Sequence, residues 1–536
     1  MRVSRVVRGI ALVAVVALLA AGCGGDDDDS GGGGDSGGGG TDAAGPEKAL
    51  IIARSMDINS LDLSRAYCDT CQIYLTAVYE TLLGLDADNT TLVPRLATTW
   101  SSNDEQTEFT FDLDPDATFA DGTPVTSADV KFSWERLKGL AGSASYLGGT
   151  IDTIETPDEH TVVAKLNTPN SAFLAQTNAS YMGVLEKKVA EANGATTSAD
   201  TDTAEEYFLA NSAGSGPFVL ASYTSGSELR LERNDAYWGE NKAKFPEVVI
   251  KQTDDAVTQR QQLEQGAVDI AMQLSTDVVT DMNEDGLSIE KVPSFNFVYL
   301  ALSPGATGGE KLTPDVLEAI RLALDYDGLL DVTVGGAGRK QPSPIPNGFL
   351  GTDGLDDPEQ DVAKAEDLLK GETIDLDATY PTLNVYGVDF STAMQKVQTD
   401  LKAVGINLQL NPVEISVWAE KITTDGIPVT ALYFAPDHTD SSQYVQYFGL
   451  LPASQWQTWT KVDAKPAEEQ ALKDAFGAKD EAERAALYND LAKDMIGDGL
   501  IIPLVNPDLY LASADNIKGM HYSACCNLDL SKLSRS

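Results

Sequence analysis

Histidine is nearly absent from this chain of 536 residues: His160, His438 and His521 are the only three. None are paired as His-x-x-x-His, the spacing that puts two imidazoles on one helix face, which argues against a catalytic zinc site. Gly-Lys never occurs, so a Walker A phosphate loop is excluded and any ATPase work falls to another chain. No nucleophile elbow stands at a strand-to-helix turn. Positive charge is scarce too. The 38 Lys and Arg against 82 Asp and Glu leave a net charge of −44 at pH 7, and such a surface repels phosphate backbones and anionic lipid. A nucleic-acid partner is therefore not expected. The one long apolar run, near the N-terminus, is too short to cross a bilayer, and no second apolar span appears.

At the N-terminus, Arg2, Arg5 and Arg8 precede an apolar run from Ile10 to Ala21, the layout of a secretory signal. The run ends LLAAGC, similar to a lipobox in which Cys23 is acylated, although Ala20 stands where Leu or Val is usual. Residues 1–22 are expected to be a signal peptide, and 23–46 a lipidated Cys followed by a flexible Gly, Ser and Asp tether that cannot bury enough surface to order. Asp26 to Asp29 reads as solvated linker, because no turn or Glu fixes calcium-loop geometry. The chain is thus placed outside the membrane, held only by lipid. About 490 residues remain, enough for two or three lobes. In an oxidising compartment Cys68, Cys71, Cys525 and Cys526 read first as disulfide candidates.

The stretch from Thr91 to Leu137 reads as strand, turn and helix. Phe109, Phe111 and Leu113 alternate with Thr110 and Asp112, the period of a half-buried strand. Asp121-Gly122-Thr123-Pro124 is a turn, Ser127 is expected to cap the helix, and Val130, Trp134 and Leu137 share its buried face. The succession Pro94-x-Leu96-Ala97-x-x-Trp100, Phe109-x-Phe111-x-Leu113, Phe119-x-Asp121-Gly122-x-Pro124-Val125-x-x-x-Asp129-Val130-x-Phe132-Ser133 resembles the signature of the peptide/nickel/opine class, family 5, of extracellular solute-binding lipoproteins of ABC importers. Asp114-Pro115-Asp116 departs from that signature, which has a basic residue here. The resemblance continues through Val78-Tyr79-Glu80, Gly214-Ser215-Gly216-Pro217-Phe218 and Arg233-Asn234-x-x-Tyr237-Trp238, and covers the chain from about Ala49 to its end.

That resemblance implies an α/β fold of the periplasmic-binding-protein type with three lobes and a hinged cleft. Lobe I would comprise 47–78, 213–299 and 504–536, lobe II 79–212, and lobe III 300–503. It implies no enzyme, no cofactor and no metal, and a monomer that hands a small solute to ABC permease subunits with their ATPases. Along the chain, helices are expected over Gln72–Leu83, after Thr313-Pro314 with Thr313 as cap, from Ser391 to Val404, and with one periodicity from Glu468 to Ile496. With both termini returning to lobe I, the resemblance lets Cys68 or Cys71 meet Cys525 or Cys526.

Leu432-Tyr433-Phe434-Ala435-Pro436-Asp437-His438-Thr439-Asp440 follows a strand and stands where related peptide binders carry Trp-x-x-Asp, whose Asp holds the peptide's α-ammonium group. The resemblance puts Phe434 at the aromatic position and Asp437 at the charge, with His438 beside it; the alternative is that Asp437 stabilises the turn next to Pro436. Tyr67, Asp69, Tyr181, Met182 and Tyr299 are further cleft candidates, each aromatic equally at home in a core. Dipeptide-binding relatives place an Arg for the ligand carboxylate where this chain has Asp389-Phe390-Ser391. An oligopeptide is therefore favoured over a dipeptide, with a cationic or sugar-like solute as the alternative. The alternative of another class is an extracellular hydrolase using paired acids.

Overall fold

Strand Phe297–Leu302 is buried at every position, the mark of a strand covered on both faces. It lies inside a sheet of six strands in the order Gly338–Arg339, Ile501–Pro507, Phe297–Leu302, Val429–Phe434, Ile374–Pro381 and Ile406–Val413. The computed structural model describes residues 48–536. The expected signal peptide, Cys23 and the linker fall outside these residues.

A seven-stranded sheet runs Leu287–Val292, Leu509–Ala514, Ile270–Ala271, Leu50–Arg54, Glu247–Gln252, Glu228–Arg233 and Phe218–Thr224. Leu50–Arg54 is parallel to both of its neighbours, so the opening strand is knit to segments some two hundred residues later. The third large sheet is antiparallel: Ala97–Ser102, Glu108–Leu113, Thr161–Leu166 and Ile151–Glu155. Phe109, Phe111 and Leu113 are buried as their alternation requires, and helix Ser127–Leu140 buries Val130, Trp134 and Leu137 against them. One large core surrounds the six-stranded sheet, and a second joins the antiparallel sheet to the helix and strands that follow residue 61.

Several boundaries move for physical reasons. The first helix after the opening strand is Asp69–Val78, starting earlier and ending sooner than its apolar residues suggest. It stops because Gly216 N–H donates to Val78 O at 2.9 Å, where the chain of residues 213–217 crosses the helix end. A Cβ at Gly214 would stand 2.0 Å from Val78 O, and one at Gly216 2.5 Å from Ala77 O. Those glycines are there for close backbone approach. The cap of helix Ser127–Leu140 is Thr126 rather than Ser127: Asp129 accepts from Thr126 N–H at 2.9 Å and its hydroxyl at 2.6 Å, while Ser127 donates to Asp158 O. Thr313 caps its helix by accepting from Val316 N–H. The long periodicity near the end divides into Pro466–Gly477 and Glu481–Asp498, because Asp480 caps a new helix by accepting from Glu483 N–H.

Beneath the interface of these elements Arg136, fully buried, bonds both oxygens of Asp62 at 2.6 and 2.5 Å and Asp202 at 2.7 and 3.0 Å. Three segments are tied there by one guanidinium, whose planar fork matches two carboxylates.

Candidate functional site

The turn between the opening strand and helix Asp69–Val78 is pinned by Asp57. Its carboxylate accepts from Asp69 N–H at 2.8 Å, Thr70 N–H at 2.9 Å and the Thr70 hydroxyl at 2.5 Å, satisfying donors that a helix start leaves free. Cys68 caps the same helix end and is disulfide-bonded to Cys71. Cys525 and Cys526 are free thiols, so the cross-terminal pairing expected from the resemblance is not formed. The pinned turn presents Tyr67, Asp69 and Gln72 to a cavity of about 320 Å³.

From the opposite side, strand Val429–Phe434 leads into the loop that carries Asp437. Gln443 fixes this loop, accepting from Asp437 N–H at 2.7 Å and donating to Asp440 O at 3.1 Å. The Asp437 carboxylate is 2% exposed. It accepts from the Tyr67 hydroxyl at 2.9 Å, from Gln72 Nε2 at 3.0 Å and from the Tyr146 hydroxyl. Burial raises its pKa to about 6, with these three donors pulling the other way. Burial and the nearby Asp437 push both tyrosines well above their ordinary range, so they remain protonated donors.

A second acid lies on the wall. Asp69 is raised to about 7, first by burial and then by Asp57, and Arg54 at 3.8 Å opposes the rise. Asp57, Asp69 and Asp437 all line the cavity, and among the described residues no Lys, Arg or His does. The rest of the wall is largely aromatic. Tyr67 lies 5.2 Å from Tyr181 and 5.6 Å from Tyr447, Phe434 lies 4.8 Å from Tyr447, and Trp418 meets Trp459 edge-on. Gln72 Oε1 is buried without a hydrogen-bond partner next to Asp437. A buried carboxylate held by neutral donors, beside an unused acceptor and aromatic faces, suits a ligand ammonium group.

The structure gathers Asp437, Phe434, Tyr67, Asp69 and Tyr181 on this wall. His438, Met182 and Tyr299 are fully buried but do not line it. His438 Nδ1 accepts from Asp440 N–H, and burial lowers its pKa to about 4. Met182 O accepts from the Trp134 indole, and Tyr299 packs on Phe448 and Trp456. Asp389 caps helix Phe390–Ala403 and Phe390 is core; neither they nor Ser391 reach the cavity. Gln72, Tyr146, Tyr433, Tyr447, Trp418 and Trp459 were not singled out from sequence. For Gln72 a signal existed, since it stands three positions after Asp69 on the same helix face. Tyr447 shares its helix with the core residues Tyr444 and Phe448, so periodicity could not separate it from them.

The family model described as bacterial extracellular solute-binding proteins, family 5, middle region, matches residues 91–455. A probable D,D-dipeptide-binding periplasmic protein, DdpA, of Escherichia coli is 27% identical over 496 residues, covering 90% of this chain and 93% of its own. A dipeptide-binding protein of the same organism is 25% identical, covering 77% and 80%. Among solved structures, the Helicobacter pylori periplasmic binding protein DppA in complex with the peptide STSA superposes with a TM-score of 0.80 at 20% identity, covering 91% of this chain and 98% of that one. The similarity to that structure carries the fold.

Proposed function

Because this chain belongs to the bacterial extracellular solute-binding proteins of family 5, whose members are binding proteins that serve ABC permeases and their ATPases and not enzymes, we propose that it captures peptides with a free amino terminus. The observation that carries this reading is Asp437, a nearly fully buried carboxylate to which only neutral donors point. The ligand ammonium supplies the missing cation. The peptide-binding names of the relatives DdpA and DppA support the same class.

An oligopeptide is favoured over a dipeptide. Among the described residues the cavity wall offers no cation to clamp a ligand carboxylate, and a second, open cleft of about 590 Å³ adjoins it, sharing Ser143 and Tyr447. An extended peptide held in part by backbone hydrogen bonds would run into that cleft. The seven-stranded sheet corresponds to lobe I, the antiparallel sheet to lobe II and the six-stranded sheet to lobe III, with closure by hinge motion around the ligand. The protein works as a monomer, anchored outside the membrane through Cys23. Among the described residues no helix is long and apolar enough to cross a membrane.

Native mass spectrometry of the purified protein, followed by sequencing of the released solute, tests the reading. Peptides of three or more residues with free amino termini are expected. A released sugar, or a ligand lacking any amine, would overturn it.

A further inference from the structure

Cys525 and Cys526 are adjacent, and their Sγ atoms stand 3.2 Å apart. The loop that carries them closes on itself, Asn527 N–H donating to Ser523 O at 2.8 Å and Ser523 N–H to Asn527 O at 3.3 Å. Asn89 clamps it from outside, accepting from Ala524 N–H at 2.8 Å and donating to Tyr522 O at 3.2 Å. Cys526 is buried and Cys525 is partly exposed. Cys68 and Cys71 already hold each other, which among the described residues leaves the C-terminal pair only itself as an internal partner.

We propose that Cys525 and Cys526 form a redox modification site that closes to a vicinal disulfide and reopens by thiol–disulfide exchange while the protein stays folded. The two thiols are differentiated for this. The Sγ–Sγ hydrogen bond with Cys526 lowers the Cys525 pKa, whereas that bond and burial push Cys526 well above the usual thiol range. The accessible Cys525 thiolate therefore attacks first.

The oxidant is a small or protein disulfide of the exporting compartment. Its S–S bond breaks as Cys525 Sγ bonds to one sulfur, and the other sulfur leaves as a thiolate. Cys526 then gives up its proton and attacks Cys525 Sγ, expelling the second thiolate. The two cysteines lose two electrons and two protons, and the oxidant gains them as two thiols. Neighbouring Cα atoms are about 3.8 Å apart, closer than the roughly 4.4–6.8 Å of ordinary disulfides. The ring is strained, which places it in the labile, reversible class. The loop also bears on the ligand cavity, because Asn527 accepts from Asn296 Nδ2 at 2.7 Å and shares with Arg54 and Asp69 the wall of a small void behind it.

The test is oxidation of the folded protein with glutathione disulfide, then thiol blocking under denaturing conditions and tryptic mapping. Residues 519–532 hold both C-terminal cysteines, and residues 66–95 hold Cys68 and Cys71, so the pairings separate by mass. Peptide 519–532 is expected unblocked and two hydrogens lighter than its reduced form, and mild dithiothreitol is expected to restore two blocking sites with the circular dichroism unchanged. Cys526→Ser is expected to stop at a single glutathione adduct on Cys525. Two blocked cysteines after oxidation, a cross-link to peptide 66–95, or a stable glutathione adduct on the wild type would each overturn the proposal. The wild-type result decides the matter even where a variant fails to fold.

Discussion

The Tyr67 hydroxyl donates to Asp437 Oδ2 over 2.9 Å, joining residues 370 positions apart in the chain. Tyr67 packs against both large cores, whereas Asp437 follows a strand of the six-stranded sheet. The bond therefore spans the seam on which the cavity is built. Any group that binds Asp437 must share its carboxylate with donors from the other side of that seam, and so senses how the two sides approach.

Affinity for a cationic ligand follows the ionisation of Asp437. With the carboxylate titrating near 6, binding is expected to strengthen as pH rises from 5 to 7, with proton release detectable by calorimetry in buffers of different ionisation enthalpy. Tyr67→Phe removes a bond that favours the charged form, so the midpoint is expected to move upward. A midpoint that stays fixed would detach Tyr67 from the charge.

Stability of the ligand-free protein carries the opposite pH trend from this residue. The folded pKa near 6 lies above the ordinary 3.8, so between those values the native state keeps a proton that the unfolded chain has shed. The stabilising contribution is full below about pH 4 and is lost as pH rises through 6. Asp437→Asn removes that loss, and the variant is expected to gain up to about 3 kcal/mol on the wild type between pH 4 and 7. Urea midpoints across that range measure it.

Arg136→Met takes the bidentate guanidinium away from the buried Asp62 and Asp202 and leaves them Arg65, at 3.6 and 3.0 Å. Loss of about 3–5 kcal/mol is expected, seen as a lower urea midpoint. Arg136→Lys is expected to recover only part of it, since an ammonium cannot bridge two carboxylates in the same bidentate geometry.

Two glycine substitutions separate contact from conformation. Gly214→Ala forces a methyl group onto Val78 O and is expected to destabilise or prevent folding. Gly497→Ala, in helix Glu481–Asp498 with nothing within 4 Å of the added carbon, is expected to raise stability by up to about 1 kcal/mol. Thermal unfolding of the two side by side checks both.

Much of the scaffold was legible because it is written in local periodicity. The strand at Phe109 to Leu113, the helix after Thr313 and the helix expected from Ser391 follow from alternation, spacing and, at Thr313, the cap, while the Asp389 cap of the last was not foreseen. Helix Asp69–Val78 departs from its local periodicity because its end is imposed by a chain crossing it from residues 213–217, a contact no local window contains. The site was half legible. Asp437 and Phe434 came from the resemblance to peptide binders that carry Trp-x-x-Asp after a strand, but Tyr146 lies in the short 3-10 helix Ser143–Gly148 with no period to mark it. Its role appears only when the fold brings it to Asp437. His438 sits next to Asp437 in sequence yet is spent on Asp440 N–H, because neighbours in an irregular loop need not face the same way.

The central claim is that Asp437 receives a ligand ammonium, and calorimetry of a double cycle tests it most directly: wild type and Asp437→Asn, each with a co-purifying peptide and its N-acetylated form. A charged hydrogen bond is worth about 1.5–3 kcal/mol, so either change alone should weaken binding tenfold or more, and the second change should add little once the first is made. An Asp437→Asn affinity within about threefold of wild type, less than that bond requires, or equal binding of the acetylated and free peptides by the wild type, would contradict the claim.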